Sequence, residues 1–210
     1  MATAKVWKNV DVKMQSAIAA AKTITAISKA SPAVVSCTAH GYSNGDIVFV
    51  LAEGMFQVDA RVFRVSGVTT DSFKLESEDS TEFDDFISGT VAKVTLGTTI
   101  TTATTISSSG GDFAMIDKTT IHQNTRSEMP GLPNAINYTM EHIWDPSDAG
   151  LKAMKVASDL QQRRVFKFTI GDAIVLFAGY VGCTLLPGGQ AQDLVKTTSV
   201  FTIDGTPSYY

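Results

Sequence analysis

Long apolar runs are missing from this 210-residue chain: no stretch approaches the ~20 apolar residues that a membrane-crossing helix needs. The opening Met1-Ala2-Thr3-Ala4-Lys5 also lacks an apolar segment followed by a cleavage site. Both absences argue against a membrane protein and against Sec-dependent secretion, so cytoplasmic synthesis is expected. Cysteine is scarce, and Cys37 and Cys183 have no C-x-x-C or C-x-x-H company, which excludes a disulfide scaffold or a recognisable structural zinc motif. Basic charge is short as well: 17 Lys and Arg stand against 21 Asp and Glu, a net charge of −4, with no basic cluster able to hold DNA by counterion release. Leucine is the last shortage. Ten Leu are outnumbered by 25 Thr and 19 Val, and β-branched residues favour pleated strands over helices, so the expected fold class is mainly β.

What is present is unevenly distributed. Residues 1–30 carry a charge of +4, residues 31–95 a charge of −6 and residues 96–210 a charge of −2, which sets the middle stretch apart. Alternation over Val6–Met14 predicts a half-buried strand with Val6, Val10, Val12 and Met14 inward. Lys5, Lys8, Lys13, Lys22 and Lys29 are read as solvent-facing, and Ser16–Lys22 suits either a helical turn or a continuing strand. Residues 23–95 read as a small all-β module with strands at Thr23–Ile27, Ala33–Thr38, Ile47–Leu51, Arg61–Val68, Ser72–Leu75 and Val91–Val94. Asn44-Gly45 is the strongest signal for a tight hairpin turn, and the acidic run Glu76–Phe86 reads as a solvated loop.

The Thr/Ser-rich stretch Thr95–Ser109 fits a polar strand pair or a flexible connector. Phe113–Gln123 reads as a strand, Met129-Pro130-Gly131-Leu132-Pro133 as a rigid turn, and Ile136–Trp144 as a strand with Ile136, Tyr138, Met140, His142 and Trp144 on one face. One helix is expected over 146–162, capped by Asp145, with Pro146 in its first turn, Leu151, Met154, Ala157 and Leu160 at helical spacing, and Arg163-Arg164 at its end. Val165–Ile170, Ala173–Leu186 and Leu194–Ile203 complete an antiparallel sheet crossed by that helix. Ser208-Tyr209-Tyr210 suits either an interaction arm or a disordered end.

Catalytic signatures are thin. There is no G-x-S-x-G, H-E-x-x-H or P-loop sequence, and His40, His122 and His142 fall in three different elements without ligand-like neighbours. No catalytic, cofactor-binding or metal site is therefore assigned, and no cofactor is expected. The sharpest enzymatic hypothesis pairs Cys37 with His40 as nucleophile and base, against the common case of cysteine as a small buried apolar residue. Gly179-Tyr180-Val181-Gly182 lies inside a strand run and reads as close backbone packing, not as a phosphate cradle. Tyr42, Phe49, Phe56 and Phe63 could form a carbohydrate-binding face, but at strand spacing they read as core.

Two sets of residues carry a resemblance. The tract Ala33–Val50, with Gly54-Met55, Phe63-Arg64-Val65 and Asp71–Leu75, resembles a small β module of bacteriophage virion proteins. It also resembles a half-domain of ubiquitin-activating enzymes, although no adenylation or thioester machinery accompanies it. The flanking pieces are Val6–Met14, Glu128–Pro133, the helix after Asp145-Pro146, Phe166–Asp172 running into Phe177–Val181, and Thr202–Pro207. They resemble the major tail tube protein of phages with long non-contractile tails.

That resemblance implies a β-sandwich or barrel-like tube core of residues 1–22 and 96–210 with one flanking helix. Residues 23–95 would be an inserted module, expected on the outer surface because an inward one would block the channel. It further implies a structural protein of the virion tail, not an enzyme, whose hexameric rings stack into a tube through which DNA passes. The implied partners are other copies of the chain, the tail terminator, tape measure and distal tail proteins, and DNA in transit without specific binding. An acidic lumen would repel phosphates, and Thr95–Gly111 is a candidate for a loop ordered by ring stacking. The competing readings are a receptor- or carbohydrate-binding decoration protein and a Cys37-dependent hydrolase.

Overall fold

The computed structural model describes residues 9–210, so Val6, Lys5 and Lys8 lie outside the described residues. In chain order the elements are β1 (Asp11–Met14), β2 (Ala17–Ile18), β3 (Lys22–Ile24), β4 (Ala26–Ile27), β5 (Val34–Ser36), β6 (Ile47–Glu53), β7 (Arg61–Ser66), β8 (Ser72–Leu75) and β9 (Ser88–Thr95). They continue with β10 (Thr98–Ile100), β11 (Ala103–Ser109), β12 (Phe113–Asp117), β13 (Glu128–Pro133), β14 (Asn137–Ile143), α1 (Ala149–Asp159), β15 (Arg164–Ile170), β16 (Ala173–Cys183) and β17 (Lys196–Tyr209). The expected mainly-β class with one helix is what the chain adopts. All strand pairings are antiparallel.

Seven strands form one sheet in the order β10-β1-β15-β16-β17-β14-β11. Its edges, β10 and β11, are neighbours in sequence, joined only by Thr101 and Thr102. At ~3.5 Å per residue that link spans about 10 Å, so the end of β10 lies close to the start of β11 and the sheet curls into a half-barrel. One face of the curl is filled by Val12, Met14, Ile100, Met140, Phe166, Phe168, Phe177 and Phe201, and α1 covers it with Leu151, Met154 and Ala157. Phe166 stacks on Phe177 and meets Phe201 edge-on at 4.8 Å. Each phenyl ring so buried contributes about 1.5–3 kcal/mol. Val10, Val12 and Met14 at β1 and the alternating face predicted for β14 follow this alternation.

Gly150 lets α1 approach β10, since a Cβ there would lie 2.7 Å from the Thr99 carbonyl oxygen. Gly179 does the same between strands, where a Cβ would come within 2.4 Å of the Thr202 carbonyl oxygen, as the close-packing reading of that tract expects.

The helix starts later than its sequence signals imply. Asp148, not Asp145, is the N-cap and accepts from the Leu151 N–H at 2.8 Å, while Asp145 caps the preceding turn by accepting from the N–H and hydroxyl of Ser147. Helical residues end at Asp159, so Arg163-Arg164 fall outside the last turn. Arg164 begins β15, and Arg163 pairs with Asp204 at 2.8 Å. Asp148→Ala is expected to cost about 1 kcal/mol by leaving that N–H unsatisfied. A thermal melt of the variant checks it, and Asp145→Ala should cost the helix less.

The second sheet runs β2-β9-β6-β7-β8-β5-β4, with β3 also paired to β9. Residues 22–27 pair with β9 on one side and, after Thr25, with β5 on the other, which closes these strands into a small barrel. Val35, Val50, Phe63, Phe73, Leu75 and Val91 fill its core. Ser16–Lys22, left open between helix and strand, contributes the short strand β2 paired to β9.

Asn44-Gly45 does form a turn, with Asp46 N–H donating to the Ser43 carbonyl and Gly45 at φ +90°, but Asn44 keeps a negative φ. It is not a hairpin turn, because its flanking strands β5 and β6 are not neighbours. The acidic run is a loop solvated only in part: Asp79, Glu82, Asp84 and Asp85 are exposed, but Glu76 and Glu78 pair with Arg64 and Arg61, Ser80 is buried, and Phe83 and Phe86 pack on the barrel core.

The barrel sits against β15 and β16 on the face opposite α1, where Phe49, Val62 and Val94 meet Val165, Leu176 and Ala178. β16 is thus covered on both sides, which explains the unbroken apolar tract Ile174–Ala178. Polar clamps flank this contact. The Arg61 guanidinium donates to Glu78 and to the Thr206 carbonyl, and the Arg64 N–H donates to the Tyr210 hydroxyl at 2.9 Å, with the Arg64 guanidinium 4.6 Å over the Tyr210 ring. Tyr210 also exchanges backbone hydrogen bonds with Ile174. The last residues are therefore neither a free arm nor disordered. Removing residues 23–95 would strip the cover from Val165, Leu176 and Ala178.

Candidate functional site

The enzymatic constellation does not assemble. Cys37 is buried, and burial pushes its thiol pKa up, the reverse of what an attacking thiolate needs. Both nitrogens of His40 are already engaged. Nδ1 accepts from the Tyr42 N–H at 3.0 Å and Nε2 donates to the Ser72 carbonyl at 3.2 Å, which leaves no base for Cys37.

His122 is exposed on the β12–β13 connection. His142 is buried between the hydroxyls of Thr102 (3.1 Å) and Ser199 (2.7 Å), and burial lowers its pKa to about 4. Among the described residues no group of three or more His, Cys, Asp or Glu is placed to hold a metal, and no helix is long and apolar enough to cross a membrane. Of the four aromatics offered as a ligand face, Tyr42, Phe49 and Phe63 are buried and only Phe56, 73% exposed, reaches solvent. A planar sugar-stacking surface is not built from one ring.

Three surface features remain; of these, sequence reasoning pointed only to Thr-rich polar strands, as a surface able to face an aqueous lumen. The first is the β12–β13 hairpin. Its expected rigid turn, Met129–Pro133, is a strand paired with β12, Ile116 opposite Met129 and Met115 opposite Pro130, and the strand expected to reach Gln123 stops at Asp117. A two-stranded ribbon has two free edges, so Pro130 and Pro133 fit without breaking a wider ladder. Phe113, Met115, Ile116, Ile121, Met129 and Leu132 all stand exposed on it, Leu132 at 84% and Ile121 at 96%. At about 200 Å² for a fully open residue of this size they present roughly 800 Å², the share one partner gives to a standard protein interface. Isolated two-stranded ribbons are marginal in water, so such a surface marks a contact to be made.

The second feature is the outer face of β11, β14 and β17. Ser107 lies opposite Thr139, Thr198 opposite Glu141, and Thr202 opposite Asn137, all turned away from the core. The Thr202 hydroxyl donates to Asn137 Oδ1 at 2.8 Å. Thr95–Ser109, ambiguous in sequence, supplies β11 here and β10 at the opposite edge of the curl.

The third is a cleft of about 730 Å³ between the sheet's edges, floored by Val10, Val12, Ile100 and Ile106 and rimmed by Thr99 and Thr105. Both sheet edges are open among the described residues, and open edges are what strand pairing with another chain uses.

No curated protein matches the chain. A family model described as phage tail tube protein matches residues 53–210, from the end of β6 inside the small barrel through β17. That span covers well over half of the sequence, and the family is structural, not enzymatic. A free apolar hairpin and open sheet edges accord with it, and the chain belongs to the phage tail tube protein family, a component of the virion tail.

Proposed function

We propose that this protein polymerises as stacked hexameric rings into the tail tube of a phage with a long non-contractile tail, forming the channel for DNA passage into the host. The observation that carries the assembly is the apolar β12–β13 hairpin, which its own subunit leaves uncovered. Ring closure would pair the open edges of neighbouring seven-stranded sheets and remove an aggregation hazard. The small barrel, read as a module of residues 23–95 set into a core of 1–22 and 96–210, would face outward. This is supported by the curl of the sheet. β15, which bears the barrel, and β14, which bears the hydroxyls, are three places apart in a seven-strand order that curls into a half-barrel, so their outer faces point in different directions.

Thr95–Gly111 is not proposed as a loop that orders on stacking, because most of it is already strand. The tail terminator, tape measure and distal tail proteins would cap, fill and continue the tube, and the subunit would be made in the host cytoplasm before joining the virion.

Negative-stain microscopy of the purified chain over a concentration series tests the reading. Rings or long tubes that grow with concentration are expected. Discrete monomers at every concentration would overturn it and return the decoration-protein reading.

A further inference from the structure

We infer that the hydroxyl face of β11, β14 and β17 is the wall of the channel and that this wall is electrically neutral, not acidic; the inference rests on the tube reading. The face carries Ser107, Asn137, Thr139, Thr198 and Thr202, with the exposed apolar side chains of Ile143 and Val200 set among them, and its charges, Glu141 and Lys196, offset each other at 3.4 Å. The acid excess lies elsewhere: residues 31–95, the bulk of the small barrel on the far side of the curl, hold −6 of charge. An acidic lumen, expected from the net charge, therefore does not find its carboxylates on this face.

The chemistry of the face separates it from the contact surfaces. Most of its side chains are short and polar, half-exposed or exposed, with Ile143 and Val200 as isolated apolar exceptions, whereas the hairpin exposes a contiguous set of large apolar groups that need a dry partner. Threonine keeps strong β propensity without offering an apolar patch, which gives the Thr excess of the chain a use on a wetted strand face.

A neutral wall also suits a polyanion in transit. Retention of DNA requires fixed cations that release condensed counterions, and repulsion at the mouth requires fixed anions; a wall with neither supplies no net electrostatic trap or barrier.

Cysteine placed at Thr139 tests the assignment, since Cys37 and Cys183 are both buried and give little background. In the unassembled chain Thr139→Cys should react alike with a small maleimide and with a maleimide coupled to an antibody-sized protein. After assembly the small reagent should still react, while the bulky one should slow about tenfold or more, because access and not thiolate chemistry has changed. Ser107→Cys, on the neighbouring strand, repeats the measurement should the first variant fail to fold or assemble. Unchanged reaction with the bulky reagent would put the face outside the tube, and loss of reaction with both would bury it between copies; either overturns the assignment.

Neutrality has its own readout. Tubes of Thr139→Lys with Thr202→Lys should retain short duplex DNA in low salt and lose it in high salt, whereas wild-type tubes should not retain it. Retention by wild-type tubes would overturn the neutral wall. Should the wild-type chain form no tubes, the assembly reading and this inference fall together. Tubes that form and then give the contrary labelling overturn only the wall.

Discussion

Replacing Ile116 and Leu132 together by aspartate is expected to leave a folded subunit that no longer forms tubes. Both side chains are exposed and belong to none of the three buried clusters, so the unassembled protein should melt within about 0.5 kcal/mol of wild type, the usual range for surface changes. In the assembled state the same positions would place two carboxylates in an apolar contact. An uncompensated buried charge costs several kcal/mol at each site. Because the contact recurs at every subunit of a polymer, the penalty recurs with it, and the threshold concentration for tubes should rise beyond reach. Sedimentation and negative-stain microscopy read the assembly, and circular dichroism reads the fold. Tubes at the wild-type threshold would remove the hairpin from the interface, and a collapsed melt would show that the hairpin supports the subunit itself.

The second large effect is acid lability. Burial depresses His142 from 6.5 to about 4, partly opposed by the charge of Asp148, so the folded state holds the ring neutral where the unfolded chain takes up a proton. Above pH 6.5 neither state is protonated and the group contributes no pH dependence. As pH falls from 6.5 to 4 the unfolded state binds the extra proton, and stability drops by about 3 kcal/mol in total. The exposed carboxylates of Asp79, Asp85, Asp117 and Asp145 are lowered from 3.8 by hydrogen bonds to Thr81, Lys29, Thr119 and Ser147 respectively, so what they lend the fold is lost only below that window. Denaturant unfolding at pH 7 and pH 4.5 for wild type and His142→Gln separates the two. Most of the loss between these pH values should vanish in the variant, and an equal loss in both proteins would acquit His142.

Elements whose pattern is set by their own subunit's core were legible in the residues. Val165–Ile170 and Leu194–Ile203 alternate because one face meets the phenylalanine core, and Leu151, Met154 and Ala157 recur because one face of α1 covers it. Local capping was misread because two aspartates compete: Asp145 satisfies a turn, and Asp148 three residues later takes the helix. The hairpin was misread because Pro130, Gly131 and Pro133 are turn residues everywhere except on a ribbon with both edges free. The acidic run hid its partners for another reason, since Arg61 and Arg64 lie 17 and 12 residues from the glutamates they hold. The candidate site was the least legible part. Whether Ile116 or Leu132 is core or contact depends on what the rest of the fold fails to cover, and no local pattern records that.

The clamps at the end of β17 bear on how the subunit would carry load. That strand runs for 14 residues between β16 and β14, and beyond its bend Arg61 and Tyr210 fasten it to the small barrel. A pull on the barrel is thereby passed to β15 and β16 through the apolar contact and also to one end of the longest strand. Any part of it that runs along that strand meets the ladder's hydrogen bonds in shear, where many resist at once. In the proposed tube, with the barrels outward, such wiring would let tension entering at the surface be shared across the sheet before it reached the bore.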